Sequence, residues 1–308
     1  MEEINIKDFL NTFPKDEPIY YIPNPGNGGD MLIACATLQV FNDLKIRCRI
    51  VNGETFEPKG KVVFYGGGGN LVPLYDYARK VIGRIHQCAK KIVILPHTIS
   101  GNEDLLGSLG SNADVICRER ISFAHVKKFA PRAQVMLSDD MGFHLKTERV
   151  LSSDGDSLAK AFFFELGFIL KNNCGHIPWP KQLNRFLRAE TRIFRLLQEN
   201  KDGVLHCFRT DPKIAGRDLR ADNIDISRVL SYGKVKETLT ESVTLGVSNQ
   251  MLRFINRYAK IETDRLHVAI GAAVLGKDVD LYRNSNYKNE AVYNYSLKDK
   301  FPNVRWIG

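Results

Sequence analysis

The sequence predicts an α/β protein made of two Rossmann-like domains, with parallel sheets facing a cleft. Three observations carry that expectation. Short continuous apolar runs rich in Val and Ile alternate with helical stretches, as parallel strands covered on both faces require. The chain has 308 residues, which suits two domains of roughly 150 residues each. Its polar motifs fall just after strands, the edge at which parallel α/β sheets bind ligands.

The elements follow in order. Pro18–Ile22 reads as a strand leading through a Pro/Gly/Asn turn into a helix from Met31 to Leu44. A strand at Arg47–Val51 follows, then Lys61–Tyr65, which passes through Gly66–Gly69 into a helix over Leu71–Gly83. Lys91–Leu95 enters Pro96-His97-Thr98, Ala113–Cys117 enters Arg118–Ser122 and a helix, and Val135–Leu137 ends in Ser138-Asp139-Asp140. These elements give an N-terminal Rossmann-like domain over residues 1–150. Residues 151–202 read as a helical connecting segment with a Pro178-Trp179-Pro180 break and a long basic helix from Gln182 to Asn200. A second Rossmann-like domain spans 203–308. Its strands are expected at Val204–Phe208, around Ile224, at Val243–Val247, at Lys260–Thr263 and at Val279–Tyr282. Ser248 is expected to cap a helix whose apolar positions recur at 251, 252, 255, 258 and 259.

Composition narrows the function classes. With 44% hydrophobic and 26% charged residues the chain is an ordinary globular one. Its net charge of +9 points to an anionic partner: a phosphorylated small molecule, an acidic glycan or an anionic membrane face. Nucleic acid is not expected, because the basic residues are scattered and not interleaved with aromatics. The cysteines at 35, 48, 88, 117, 174 and 207 form no Cys-x-x-Cys pair, most lie in apolar surroundings, and they read as buried reduced thiols of a cytoplasmic protein. The acidic start Met-Glu-Glu-Ile-Asn is unlike a signal peptide, and the apolar run Ala161–Leu170 is short and broken by Glu165. Arg185, Arg188, Arg192 and Arg195 on the basic helix suit peripheral contact with the inner face of a membrane.

The most telling motif is Asp264-Arg265-Leu266-His267, between a short strand and a helix of small apolar residues. With Asp264 as N-cap, Arg265 and His267 fall in the first turn, where unpaired N–H groups and the positive end of the dipole gather. Cations are disfavoured there unless an anion lies among them. The pair therefore reads as an anion site with a proton donor attached.

Other motifs carry weaker signals. Gly26-Asn27-Gly28-Gly29-Asp30 is a poor dinucleotide fingerprint, since Met31 replaces the third glycine and Asp30 would meet the pyrophosphate with like charge. It reads better as a tight loop presenting Asn27 and Asp30 to a polyhydroxyl substrate, or as a turn with an acidic cap. Gly66–Asn70 lacks the Gly-Lys-Ser/Thr ending of a P-loop. Gly67, Gly68 and Asn70 are nonetheless candidates for close backbone approach to a ligand. Arg118 stands just beyond a strand, able to clamp a carboxylate or phosphate or to pair with Glu119 or Asp139. His97 ends a strand, and Lys288 lies in the polar run Tyr282–Asn289, an anion ligand or a solvated loop lysine. No His or Cys spacing suggests a metal, and no metal or cofactor is expected.

Taken in order, Gly26–Asp30, Gly66–Asn70, Leu95–Thr98, Cys117–Ser122, Ser138-Asp139 and Asp264–His267 resemble the polysaccharide pyruvyl transferase family over roughly residues 20 to 290. The resemblance implies a fold similar to GT-B glycosyltransferases. It also implies transfer of pyruvate from phosphoenolpyruvate to two hydroxyls of a glycan sugar, free or lipid-linked, giving a pyruvate ketal and phosphate. By motif match His267 resembles the family's general acid, Arg265 and Leu266 its donor-site neighbours, and Arg118 and Lys288 its cationic donor ligands. The residues are consistent with this chemistry, because a donor carrying carboxylate and phosphate needs several cations and a proton for its methylene carbon. Asp30, or else Asp139, would accept the hydroxyl proton. Two rivals remain: a GT-B enzyme using a nucleotide sugar, with Asp222 or Glu241 gripping the ribose, and a non-catalytic glycan-binding protein.

Overall fold

The structure is a computed structural model, and it describes residues 3–153, 155–171, 178–198, 203–210, 218–231 and 239–308. Cys174, His176 and the end of the basic helix beyond Gln198 lie outside the described residues.

The chain opens with α1 (Ile6–Asn11), β1 (Ile19–Ile22), α2 (Gly28–Asp43), β2 (Cys48–Ile50), β3 (Val62–Tyr65) and β4 (Gly68–Leu71). It continues through α3 (Tyr77–Ile85), β5 (Lys91–Ile99), α4 (Glu103–Ser108), β6 (Ala113–Cys117), α5 (Arg120–Phe129) and β7 (Gln134–Leu137). Three helices follow: α6 (Thr147–Leu151), α7 (Gly155–Lys171) and α8 (Trp179–Gln198). Then come β8 (Val204–Cys207), α9 (Ile226–Ser231), α10 (Glu241–Asn256), β9 (Lys260–Thr263) and α11 (Leu266–Val274). The chain closes with β10 (Asp278–Leu281), α12 (Lys288–Val292), a π-helical turn at Tyr293–Leu297, α13 (Lys298–Lys300) and β11 (Val304–Trp306).

The fold is mixed α/β with two parallel sheets. One has seven strands in the order β2-β1-β3-β5-β6-β7, with β4 alongside β5; the other has four, β11-β10-β9-β8. Two compact units emerge. The first comprises Met1–Asn24, Ala36–His144 and Ala291–Leu297, and holds the larger sheet. The second comprises Pro25–Cys35, Leu145–Glu290 and Lys298–Gly308, and holds the smaller. The core of the first unit is the aliphatic cluster of Val63, Ile82, Ile92, Ile94, Val115 and Val135, none more than 3% exposed. That is the burial expected of strands covered by helices.

Several elements differ from the sequence expectation, each for a physical reason. β5 does not stop at Leu95 but runs to Ile99, because β4 pairs along its later half, Gly68 opposite His97 and Leu71 opposite Ile99. Pro96 is tolerated there because the register with β6 shifts between Ile94 and His97, and a residue without an N–H fits such an irregularity. The glycine block is thus partly strand, and the following helix begins at Tyr77 rather than Leu71. Gly66 owes its identity to the same crossing. A Cβ there would meet the backbone N of Asn24 at 2.8 Å, where β1 and β3 end side by side. Gly68 has φ +147°, a conformation glycine adopts without penalty.

In the second unit, Val243–Val247 is helix, not strand. Thr240 caps α10 by accepting from the Val243 N–H at 3.2 Å, and Ser248 lies inside the helix, donating to the Met31 carbonyl at 3.3 Å. α10 is buried on most of its surface, so its middle lacks the polar face that reveals a helical period. Ile224 forms no strand, although its N–H reaches the His206 carbonyl at 2.9 Å. A row of charges crosses the smaller sheet in register: His206 opposite Glu262, Glu262 opposite Asp280, Asp280 opposite Arg305. Arg305 pairs with Asp280 at 2.8 Å. His206 Nδ1 lies 3.1 Å from Glu262 Oε2, within ion-pair range but off hydrogen-bonding geometry.

Candidate functional site

In the second unit the two glycine- and histidine-bearing motifs meet. α2 opens on a reciprocal cap: Asn27 Oδ1 accepts from the Gly29 N–H at 2.8 Å, and Asp30 Oδ2 accepts from the Asn27 N–H at 2.8 Å. The fold-back places the Asp30 carboxylate where any Gly26 side chain would stand, 1.8 Å from the position of its Cβ. Gly28 packs on Leu230 and Ser227 of α9. A Cβ at Gly29 would lie 2.8 Å from both Cβ and Nδ1 of His267. Glycine at 29 therefore makes room for the imidazole. His267 is half-buried, in the first turn of α11.

The α11 turn is built differently from the expectation. Arg265, not Asp264, takes the N-cap position, with φ −88° and ψ 106° and no capping bond from its own side chain. Its guanidinium instead grips Asp225: Nε donates to Oδ1 at 2.9 Å and Nη2 pairs with Oδ2. Asp225 also accepts from the Thr210 N–H at 3.0 Å, so one buried carboxylate ties the Arg265 fork to the end of β8. Thr263 Oγ1 accepts from the Arg265 N–H at 2.9 Å and donates to the Cys207 carbonyl at 2.6 Å, joining β9 to β8. Asp264 does other work. Its Oδ1 accepts from the Arg209 N–H at 2.9 Å, and burial raises its carboxyl pKa above the ordinary value. Its carbonyl accepts from Asn289 Nδ2 at 2.7 Å and Asn284 Nδ2 at 3.3 Å, which fastens the Tyr282–Asn289 run to the motif. Lys288, half-buried, begins α12 within that run. Leu266 is buried. A cavity of about 260 Å³ is lined by Arg192, Thr210, Asn223, Asp225, Arg228 and Val229.

The first unit gathers a separate polar cluster at the ends of its strands. Arg118 is only 1% exposed: Nη1 donates to Asp140 Oδ2 at 2.7 Å and Nε to Thr98 Oγ1 at 2.8 Å. Its partner is Asp140, neither of the carboxylates the sequence suggested. Glu119 caps α5, accepting from the Ile121 N–H at 2.7 Å, and Ser122 locks onto β5 by accepting the Ile99 N–H at 2.7 Å. His97 is fully buried, and its Nε2 lies 3.2 Å from the Asn70 N and 3.3 Å from the Leu71 N, so it serves as acceptor to β4. Asn70 Nδ2 donates to Asn24 Oδ1 at 2.6 Å. Gly67 and Gly68 are buried within this cluster. Asp139 Oδ1 accepts from Ser296 Oγ at 2.8 Å, a bond supplied by the π-helical turn.

Thus the structure brings Asn27, Asp30, Arg265, Leu266, His267 and Lys288 into one unit, and Gly67, Gly68, Asn70, His97, Arg118 and Asp139 into the other. Sequence reasoning missed Asp225 and Ser296, each a partner of a motif residue reached from a distant part of the chain, and it singled out the run holding Asn284 and Asn289 without their bonds to Asp264. The only hint was that buried arginines need carboxylates. Asp211 lies outside the described residues. Of the rival's ribose candidates, Asp222 is exposed and bonded to Arg220 at 3.0 Å, and Glu241 sits exposed in the first turn of α10. Among the described residues no group of three or more His, Cys, Asp and Glu side chains is arranged to hold a metal, and no helix is long and apolar enough to cross a membrane.

Parallel sheets, buried guanidiniums beyond strand ends and an imidazole in a helix's first turn define an α/β protein with its polar motifs gathered at strand ends. The chain belongs to the polysaccharide pyruvyl transferase family, whose sequence model matches residues 27–279. It is thereby a transferase, with a glycan as the implied acceptor class. It is 26% identical over 327 aligned positions to "Putative pyruvyl transferase EpsO" of Bacillus subtilis (strain 168), covering 98% of this chain and 92% of that protein. The crystal structure of a functionally uncharacterised protein from Klebsiella pneumoniae subsp. pneumoniae NTUH-K2044 superposes with a TM-score of 0.74 at 29% identity, covering 98% and 97% of the two chains.

Proposed function

We propose that the protein transfers pyruvate from phosphoenolpyruvate to two hydroxyls of a glycan sugar, forming a pyruvate ketal and releasing phosphate. The observation that carries this reading is the fit of Gly29 against His267, which joins two separated motifs around one imidazole. His267 delivers a proton to the donor's methylene carbon, and C2 becomes electrophilic. One sugar hydroxyl adds to C2 and passes its proton to a carboxylate, which we assign to Asp30 ahead of Asp139. A second hydroxyl then adds to C2 as the C2–O bond to phosphate breaks, its proton leaving with the phosphate, and the proton held by the carboxylate returns to His267 through solvent. Atoms balance without a metal or redox partner. By the family resemblance Arg118 and Lys288 are assigned as cationic ligands of the donor and Arg265 and Leu266 as its neighbours; Asn27, Gly67, Gly68, Asn70 and His97 are assigned to substrate.

The reading includes the GT-B-like arrangement of two Rossmann-like domains, acceptor-binding over 1–150 and donor-binding over 203–308, joined by 151–202. It also includes a cytoplasmic setting for exopolysaccharide, capsule or cell-wall glycan synthesis. The test is phosphate release from phosphoenolpyruvate in the presence of candidate glycan acceptors, with the ketal identified by mass. Release with a nucleotide sugar as the sole donor, or none with any acceptor, would overturn it.

A further inference from the structure

The helices α7 and α8 bury one stripe each and leave another uncovered. On α8, Gln182, Phe186, Ala189 and Ile193 form the buried stripe, and Phe186 packs with Ile169 of α7 in a small core. Beyond that core the surface is unusually apolar. Phe163 is 65% exposed and Leu170, two turns further along α7, is 54% exposed. Leu187 and Phe194 repeat the same spacing on α8, at 43% and 61%. Trp179, at the start of α8, is 45% exposed.

Cations flank these side chains. Arg188 and Arg195 each follow one of the exposed apolar residues of α8, Lys181 and Arg185 are exposed as well, and Arg192, also exposed, lines the cavity beside Asp225. The one acidic residue of α8, Glu190, is half-buried and accepts from Gln250 Nε2 at 3.2 Å, against five cations on the same helix. We propose that the α7–α8 surface docks on an anionic lipid bilayer, its aromatic and leucine side chains entering the headgroup boundary and its arginines meeting lipid phosphates. Interleaved Trp, Phe, Leu and Arg is the pattern of an interfacial helix. A second copy of the chain is the poorer occupant, because a two-fold contact through α8 would set five cations against five. The inference stands apart from the chemistry proposed above.

Co-sedimentation of the full chain tests it, with vesicles of phosphatidylcholine containing phosphatidylglycerol beside vesicles of phosphatidylcholine alone. Binding is expected only to the anionic vesicles, weakening as salt rises. Arg188→Gln with Arg195→Gln should lower partitioning about 25-fold, about fivefold per cation. Arg188→Lys with Arg195→Lys should keep it, and Phe163→Ser with Phe194→Ser should abolish it. All these side chains are exposed, so each variant should melt with the wild type, and phosphate release with a soluble acceptor should stay unchanged. Equal binding to neutral vesicles, or undiminished binding by either neutral pair, overturns the proposal. So does preferential binding of duplex DNA, or a solution dimer split by Phe194→Ser in a protein that ignores vesicles.

Discussion

His267, Arg265 and Arg118 look alike in the sequence, each a basic residue beyond a strand, yet their surroundings separate them. His267 is half-buried in the first turn of α11, and if it is the general acid we propose, His267→Ala should lower kcat roughly 10²–10⁴-fold with the melting temperature little changed. Arg118 is sealed between Asp140 and Thr98, so Asp140→Ala leaves a guanidinium buried without its carboxylate. Urea denaturation should report a loss of about 3–5 kcal/mol for that variant, far more than for any exposed pair. A loss under 1 kcal/mol would mean the pair is open to water. The residue types were readable as a set; their pairings were not. Nothing near Arg265 in the chain reveals that Asp225, forty positions earlier, grips it, because the contact depends on β8 and β9 lying side by side.

At the scale of elements, α2 and α11 act as one device. Gly29→Ala places a methyl group 2.8 Å from His267 Cβ, which the helix backbone behind it resists moving. Under the proposed role of His267, turnover should fall about 10²-fold, while circular dichroism keeps the helical signal. Retained kcat would show that the imidazole need not stay where it is. Gly66→Ala meets backbone, not a side chain, and should cost about 1–3 kcal/mol in urea. Strand identity was legible wherever a β-branched run ended in a turn, as in β3, β6 and β9. It failed at β4, whose Gly-Gly-Asn-Leu carries no strand propensity and is held by pairing with β5 alone. α10 was misread for the opposite cause, being too thoroughly buried to show its period.

For the molecule as a whole, the thiols report the state of the fold. Burial pushes Cys35 and Cys207 up to about 12. An unfolded chain releases such protons near pH 9.0, whereas the folded one keeps them, so the unfolded state binds fewer protons in between. Stability should therefore fall as pH rises from about 9 toward 12, by about 1.4 kcal/mol per unit for each thiol. Chemical denaturation at stepped pH measures this, and Cys35→Ala should flatten the slope. Among the described cysteines, Ellman's reagent should reach exposed Cys88 first, with Cys35, Cys117 and Cys207 protected until unfolding.

The last strand has a practical corollary. β11 forms the outer margin of the smaller sheet, screening β10 and supplying Arg305 to Asp280. A version trimmed after Phe301 would leave a naked row of amides and carbonyls along β10, inviting neighbouring molecules to zip onto it. Such a shortened protein should precipitate during purification even though every proposed catalytic side chain is still encoded.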